Sequence, residues 1–594
     1  MNRFSFVLLF LLFFVINGYS SQTQKSAEKQ LNLNITFPAL EDTFALSRVR
    51  ISGVTDSLAR IYINNIAVKV FPNGAFVTRT ELEPGENVIS IRAEKGNQIV
   101  NQDLLIYRPP VLENSPEKPT VIDEALIEPA ENIMLLNGDF LNVRFKASPG
   151  GNAYFSVEKI AKNLPMVELP PERANGLSGV YNGIVRIKDG PTNRGLKIKF
   201  EIRGKDHKKR SVEAPGRLYI LSDDIPIVGR TNKETWINSV SSGFIPFTRV
   251  QDSVIVHITG KTGTRFKVKL SPSLTAYIED SNIDLLDWGT PLPHEKISAP
   301  VISVNKNWIS LRMSCTERVP FRIEQSLDPP SLNVFFYGAE QASHWITFPN
   351  GPTEINQISF NEPEEYVFQV KVDLDQKQQW GYRAYYDDRG FHLKIRRTPK
   401  IAERPNSPVK GLVFAIDPGH GGDNEGAISP TGVLEKHVNL EWAKMLADSL
   451  TAAGAQVLLT RSADDNISLV DRVNMARSAN AHFLISLHNN STTAGGNALT
   501  ARGSSTYFTL QQNKEFAWAI YPRLVKLGLV PYGRIYNSYF LTRTTDMLVV
   551  LIEGGFLSHP EEELLLTDKE FLQKMTGAVL HGIEDFLVSL QNNN

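Results

Sequence analysis

The chain has 594 residues, with 63 Lys and Arg against 64 Asp and Glu, and a single cysteine. The length suggests about four domains, and a 42% hydrophobic, 9% aromatic composition excludes a wholly disordered chain. A formal net charge of −1 gives no electrostatic footprint for nucleic acid. Cys315 alone excludes an intramolecular disulfide, a zinc ribbon and a CxxC redox pair, so any metal must be held by His, Asp or Glu.

Residues 1–20 read as a secretory signal peptide: Arg3 is followed by an apolar run from Phe4 to Ile16, and Gly18 and Ser20 are small residues suited to cleavage near Ser20. The run is shorter than the roughly 20 apolar residues that span a bilayer. The expectation is an exported chain, periplasmic or in the cell wall, with no membrane span after cleavage; the absence of disulfides fits a bacterial periplasm.

Short strands follow. Across 32–108, Ala59, Ile61 and Ile63 alternate with Arg60 and Tyr62, Asn64-Asn65 turns the chain, and Ile89, Ile91 and Ala93 alternate again. Period-two patterning with frequent turn signals points to an immunoglobulin-like β-sandwich. Pro109, Pro110, Pro116 and Pro119 mark a linker into a second β-rich domain at 120–225, where Phe140–Phe145 and Leu196–Ile202 alternate. Val254–Ile258 and Arg265–Leu270 bracket a hairpin at Gly260–Gly263, the centre of a small SH3-like module at 240–285. A β-rich block at 286–398 resembles the targeting modules found ahead of cell-wall amidases. Pro399, Pro405 and Pro408 belong to the next linker.

From 410 to 592 the pattern changes to α/β. Leu412–Ile416 is a short buried strand, and Leu440, Ala443, Leu446, Ala447 and Leu450 share one helical face that Gly454 ends. Strand Val457–Leu459, a helix with Val470, Val473 and Ala476, strand Phe483–Leu487, strands at Ser505–Leu510 and Met547–Ile552, and a final helix from Lys569 complete an alternating sheet. The fold class is therefore several all-β modules followed by one C-terminal α/β domain.

Open α/β sheets bind ligands at the carboxyl ends of their strands. His420 lies in a glycine-rich loop past the first strand, His488 follows Leu487, Glu553 follows Ile552, and Glu435 is placed in the loop leading into the first helix. Two imidazoles and a carboxylate form a catalytic zinc set with one open position, and a second carboxylate can then move protons. His420, Glu435 and His488 as ligands with Glu553 as acid/base meet that requirement. His437 competes as a ligand; His482, about 20 Å away at the other end of its strand, is expected on the surface, and His559 on the outer rim. Gly419-His420-Gly421-Gly422 also reads as an anion-binding loop, but it lacks the Lys-Ser/Thr of a P-loop.

Four segments, Ile416–Gly422, Gly432–Lys436, Ser486–Asn490 and Leu551–Ser558, carry a resemblance to the zinc-dependent N-acetylmuramoyl-L-alanine amidases. The resemblance implies that His420, Glu435 and His488 bind zinc and that Glu553 is the catalytic glutamate. It also implies peptidoglycan as the partner, cut between the lactyl group of N-acetylmuramic acid and L-alanine. Asn489 stands where a small residue is usual, and His559 where Asn is usual. The stretch from Tyr507 to Glu553 is too short for the long inhibitory helix some members insert. The upstream modules would localise the enzyme or meet a regulatory or division protein. A zinc peptidase and a non-catalytic wall-binding scaffold are the competing readings.

Overall fold

The structure is a computed structural model, and it describes residues 30–592 except 40, 110–112, 189–190, 192–193, 223, 343–344, 352 and 404. The expected signal peptide lies outside the described residues. No helix among them is long and apolar enough to cross a membrane.

Four β modules precede the α/β domain. In the first, a three-stranded sheet (Leu33–Phe37, Arg48–Thr55, Ala75–Glu81) faces a five-stranded one built around Gly85–Lys95 and Gln98–Arg108. Val49, Ile51, Ile61, Phe76, Ile91 and Ile106 fill the space between them, contributed by both sheets. Asn64 and Asn65 both have positive φ, 48° and 64°, as a tight two-residue hairpin turn requires. The second module packs two four-stranded sheets over Phe145, Phe155, Tyr181 and Phe200.

A nine-stranded sheet follows. The hairpin Ile255–Thr262 with Arg265–Lys269 lies at its centre. Two of its strands, Ile227–Thr231 and Thr235–Asn238, occupy the stretch read from the sequence as a gap between modules. Ile133–Leu136 and Leu218–Leu221, from the preceding segment, also join this sheet. The break was misplaced because these strands are short and carry turn-like residues, Gly229 and Asn232, beside them.

The fourth module stacks Val301–Val304, Trp308–Met313, Gly390–Arg396 and Tyr382–Asp387 on a second four-stranded sheet over Phe336, Phe368 and Phe391. The half-buried Cys315 packs beside this core.

The α/β domain contains β1 (Val413–Pro418), α1 (Glu435–Ala452), β2 (Gln456–Leu459), α2 (Leu469–Ser478), β3 (Phe483–Asn490), β4 (Ser504–Phe508), α3 (Lys514–Val525), β5 (Pro531–Tyr536), β6 (Leu548–Phe556), α4 (Pro560–Leu566) and α5 (Lys569–Asn592). The strand order is β2-β1-β3-β6-β4-β5. β2, β1, β3 and β6 run parallel, and β4 is antiparallel to β6. Phe414, Ile416, Phe483, Ile485 and Leu487 face α1, α3 and α5. Ala415, Leu484 and Val549 face α2 through Val473 and Ala476. Helix α3 was not read from the sequence, because Pro522 stands inside it. It packs against the long C-terminal helix α5 rather than across the strand ends.

The fourth β module is fused into this domain. Trp380 is fully buried in the α/β core, 5.8 Å from the Phe483 ring and 6.4 Å from Phe586. Arg396, 2% exposed, donates from Nε to the Asp546 carbonyl (3.0 Å) and from Nη1 to the Asn480 carbonyl (3.3 Å). The junction between the fourth module and the α/β domain is thus a packed seam. Trp380→Ala is expected to destabilise the α/β domain by about 3–5 kcal/mol, because the seam cannot collapse around the cavity. The check is the denaturant midpoint of the full chain, with Trp380→Phe retaining most of the stability.

Candidate functional site

Strand parity and register bring the polar groups together. Leu484, Ser486 and His488 in β3 share the α2 face, as do Val549, Leu551 and Glu553 in β6, since successive side chains point to opposite sides. The parallel register sets Leu484 beside Val549, Ser486 beside Leu551 and His488 beside Glu553. On the other side Ala415 pairs with Leu484, and Asp417 with Ser486. Apolar rungs at the amino end of the sheet thus give way to polar ones at the carboxyl end. His488 and Glu553 lie within their strands, not after them as the sequence suggested.

His420 follows β1 in the left-handed region, with φ 63°. A Cβ on the preceding Gly419 would stand 2.1 Å from Cε1 of His488, so glycine there lets the loop pass against the ring. A Cβ on Gly426 would meet Glu435 Oε2 at 2.5 Å. Asn424 Oδ1 lies 2.8 Å from His420 Nδ1 and turns the other ring nitrogen inward.

Glu435 is the first residue of α1, which corrects its placement in the preceding loop. The helix did not read that far forward because Leu434 is no capping residue. The carboxylate accepts from the Ala427 N–H (2.8 Å), Asn439 Nδ2 (3.0 Å) and the Asn489 N–H (3.1 Å). His420 Nε2 and His488 Nδ1 each lie 3.1 Å from one of its oxygens. Burial pushes its carboxyl up, but the hydrogen bonds from His420 and His488 outweigh it and leave the group well below the ordinary range. Burial works against a charged His420, yet Glu435 raises it. Ligand atoms of His420, Glu435 and His488 lie within 4.8 Å of one another, a group that could hold one metal ion.

Glu553 faces the same cavity of about 490 Å³ as His420 and His488. Its Oε2 is shut away from solvent with no hydrogen-bond partner. Burial, with the charge of Glu435 nearby, holds this carboxyl well above the usual range. Tyr539, Phe540 and Leu541 form another wall, and Leu469 and Arg472 from α2 a third.

The loop that carries His420 is held from below by groups the sequence reading missed. Arg472 donates to Asp417 Oδ1 (2.7 Å), the Pro418 carbonyl (2.7 Å) and the His420 carbonyl (2.7 Å). Arg461 donates to the carbonyls of Pro418 (3.0 Å) and Gly419 (2.9 Å). Thr460 and Ser486 complete the shell of Asp417. The available signal was an acid, Asp417, at the end of an apolar strand, where a buried charge needs a partner. Asn489, a departure from the expected small residue, is 1% exposed and donates to Asn439 Oδ1 at 2.8 Å, bracing the side chain that holds Glu435.

The remaining histidines sort differently from their sequence placement. His437 is exposed on α1 and lies 3.8 Å from Asp464, outside the ligand group. His482, expected on the surface, is half-buried: its Nδ1 accepts from the Val413 N–H at 3.0 Å, and burial lowers it to about 4. His559, expected on the outer rim, is 3% exposed and caps α4 by accepting from the Glu561 N–H at 3.2 Å.

The first β module grips the loops that adjoin Glu435 and His488. Arg50, 5% exposed, donates from Nη1 to Thr492 Oγ1 (2.7 Å), and its backbone N–H to the Ala494 carbonyl (2.6 Å), just past β3. Thr36 donates to the Pro430 carbonyl (3.1 Å), shortly before Glu435. The buried Glu563 carboxylate joins both sides, accepting from Ser429 (2.6 Å), from Thr431 and from Asn73 (3.4 Å).

Residues 414–585 match the N-acetylmuramoyl-L-alanine amidase family. The C-terminal domain belongs to that family. The chain is 32% identical over 203 residues to a probable cell wall amidase, LytH of Staphylococcus epidermidis, covering 34% of this chain and 66% of the relative. It is 35% identical over 188 residues to the N-acetylmuramoyl-L-alanine amidase LytC of Bacillus subtilis, covering 31% and 37%. The solved amidase AmiC2 of Nostoc punctiforme is 30% identical, with 30% of this chain and 99% of that chain covered and a TM-score of 0.29. The chain therefore spans less than two thirds of the length of these two curated relatives, and the family match does not reach the β modules.

In this amidase domain the Asp417–Arg472 pair is the support whose loss is measurable. Burial pushes Asp417 up, and Arg472 with the Thr460 and Ser486 hydroxyls outweighs that, leaving it below its ordinary value. A folded-state pKa below the unfolded one gives stability that is present at neutral pH and lost as the pH falls through the acid range. Asp417→Ala should cost about 3–5 kcal/mol at pH 7, because it strands a buried guanidinium. Denaturation midpoints between pH 3 and 7 should show a smaller loss of stability in acid for the variant than for the parent.

Proposed function

We propose that the chain is an exported zinc-dependent N-acetylmuramoyl-L-alanine amidase that cleaves the bond between the lactyl group of N-acetylmuramic acid and L-alanine of the stem peptide. Its role would be cell-wall remodelling or daughter-cell separation. The observation that carries this reading is the convergence of two imidazoles and a carboxylate within 4.8 Å, beside a second carboxylate with an unpartnered buried oxygen. The donor set suits zinc, which prefers nitrogen and carboxylate oxygen and leaves an open position when three protein groups bind it. His420, Glu435 and His488 would hold the ion, and the Asn424 and Asn439 contacts would orient two of these ligands. A zinc ion there supplies Lewis acidity, lowering the pKa of water to about 7 and polarising a carbonyl.

The chain's own groups do the rest. Glu553, adjacent to His488 in register, takes a proton from the attacking water. As the hydroxide adds to the carbonyl carbon and the C–N bond breaks, the same carboxyl delivers that proton to the leaving nitrogen. Its Oε2, which has no hydrogen-bond partner among the described residues, is free to carry that proton. The wall of Tyr539, Phe540 and Leu541 bounds the space for the substrate and limits water around Glu553.

Glu553→Gln should keep stoichiometric zinc by elemental analysis and lose on the order of 10²–10⁴-fold in turnover on purified peptidoglycan. His420→Ala should lose the metal as well as the activity. Mass spectrometry of the products distinguishes the bond: free stem peptides beginning at L-alanine, with bare glycan strands, support the amidase reading. Fragments cut within the stem would instead identify a peptidase, and no release at all a wall-binding scaffold.

A further inference from the structure

Tyr539, Phe540 and Leu541, which line the cavity with Glu553, belong to the segment from Asn537 to Arg543, which ends in a single 3-10 turn at Leu541–Arg543. Its inner end is tied to the strand beside it: Thr509 Oγ1 donates to the Asn537 carbonyl (2.6 Å), the Asn537 N–H donates to the Phe508 carbonyl (3.0 Å), and the Tyr507 and Tyr539 rings meet edge to face at 5.3 Å. Thr542 Oγ1 accepts from the Tyr539 N–H (3.1 Å), and Arg543 Nη1 donates to the Ser538 carbonyl (3.0 Å). Leu541 anchors one point in the core beneath α2.

What holds the outer end comes from a different module. The Arg543 guanidinium carbon lies 5.1 Å from the Trp236 ring and 5.4 Å from the Phe244 ring, both in the nine-stranded β module, and 5.6 Å from Phe540. Trp236 and Phe244 meet edge to face at 5.9 Å, forming an open angle around the cation. Arg249, paired with Trp236 across the hairpin, lies 5.9 Å from the same indole and is tied to Glu234 at 2.8 Å. Arg543 Nε is buried without a hydrogen-bond partner. Apart from the Ser538 contact of Nη1, ring faces and not acceptors surround this guanidinium, as the quadrupole of an aromatic face allows.

We infer that Trp236 and Phe244 are positioning residues for the amidase site: through Arg543 they hold the Tyr539–Leu541 wall against the cavity that receives substrate. The nine-stranded module is then part of the active-site architecture and not only a carrier. This rests on the amidase reading for its kinetic consequence, but the clamp itself does not. The wall contacts substrate before and during reaction alike, so loosening it removes uniform binding and raises KM more than it lowers kcat.

The test uses the full-length zinc enzyme carrying Trp236→Ala with Phe244→Ala. Phe244 is 51% exposed, and neither it nor the partly buried Trp236 belongs to the module's hydrophobic core. On a soluble muramoyl-pentapeptide, KM should rise on the order of fivefold with kcat within about twofold and zinc content unchanged. Trp236→Phe with Phe244→Tyr, which keeps two ring faces, should restore KM. Hydrogen exchange of peptides spanning 537–545 should accelerate in the double alanine variant and not in the aromatic one. Parental KM with parental exchange in the alanine variant would overturn the proposal, as would a failure of the aromatic variant to rescue. If the parent enzyme hydrolyses no muramoyl-peptide, the amidase reading fails, and exchange at 537–545 alone decides the clamp.

Discussion

The carboxyl edge of the α/β sheet is organised around a single buried carboxylate. Glu435 stands at the amino terminus of α1, where the helix dipole favours negative charge, and three protein donors converge on it. Without those donors, burial would neutralise it and the two imidazoles beside it would lose their fixed partner. The donors come from the loop ahead of the helix, from one turn further along it and from β3. Three parts of the chain are therefore registered against one another by one side chain.

A second layer of charge supports the first. Arg461 and Arg472 sit beneath the loop and direct their guanidinium groups at the carbonyls of Pro418, Gly419 and His420. Asp417 supplies the countercharge in the sheet. The left-handed His420 backbone is thus fixed by main-chain acceptors bound from below, while its ring is set by Asn424 above. Loop geometry and ring orientation have separate supports.

The β modules are continuous with this arrangement. Trp380 completes the hydrophobic core of the amidase domain, Arg50 and Thr36 grip loops beside Glu435 and His488, and Trp236 with Phe244 encloses Arg543. Each contact pairs residues far apart in sequence: Arg50 with Thr492, Trp236 with Arg543, Trp380 with Phe483. Period-two patterns read each strand but carry no information about such pairings. For that reason nothing in the sequence marked Arg396, at the end of its strand, as a buried seam residue.

By itself the sequence determined the alternation of the last 180 or so residues and the β character of the rest, and it pointed to four polar groups along one edge of the sheet, because strand period and side-chain chemistry are local properties. It misjudged His482 and His559, since whether an imidazole near a strand or turn is buried depends on what packs over it. It missed Asp417, Arg461 and Arg472, whose importance lies in partners more than 15 positions away, and Asn439, which joins Glu435 one turn back to Asn489 in β3. Only the tertiary structure decided that His488 and Glu553 are neighbours in register, that Glu435 opens a helix, and that the β modules pack against the loops beside them. Those are statements about register and packing, and long-range contacts alone set them.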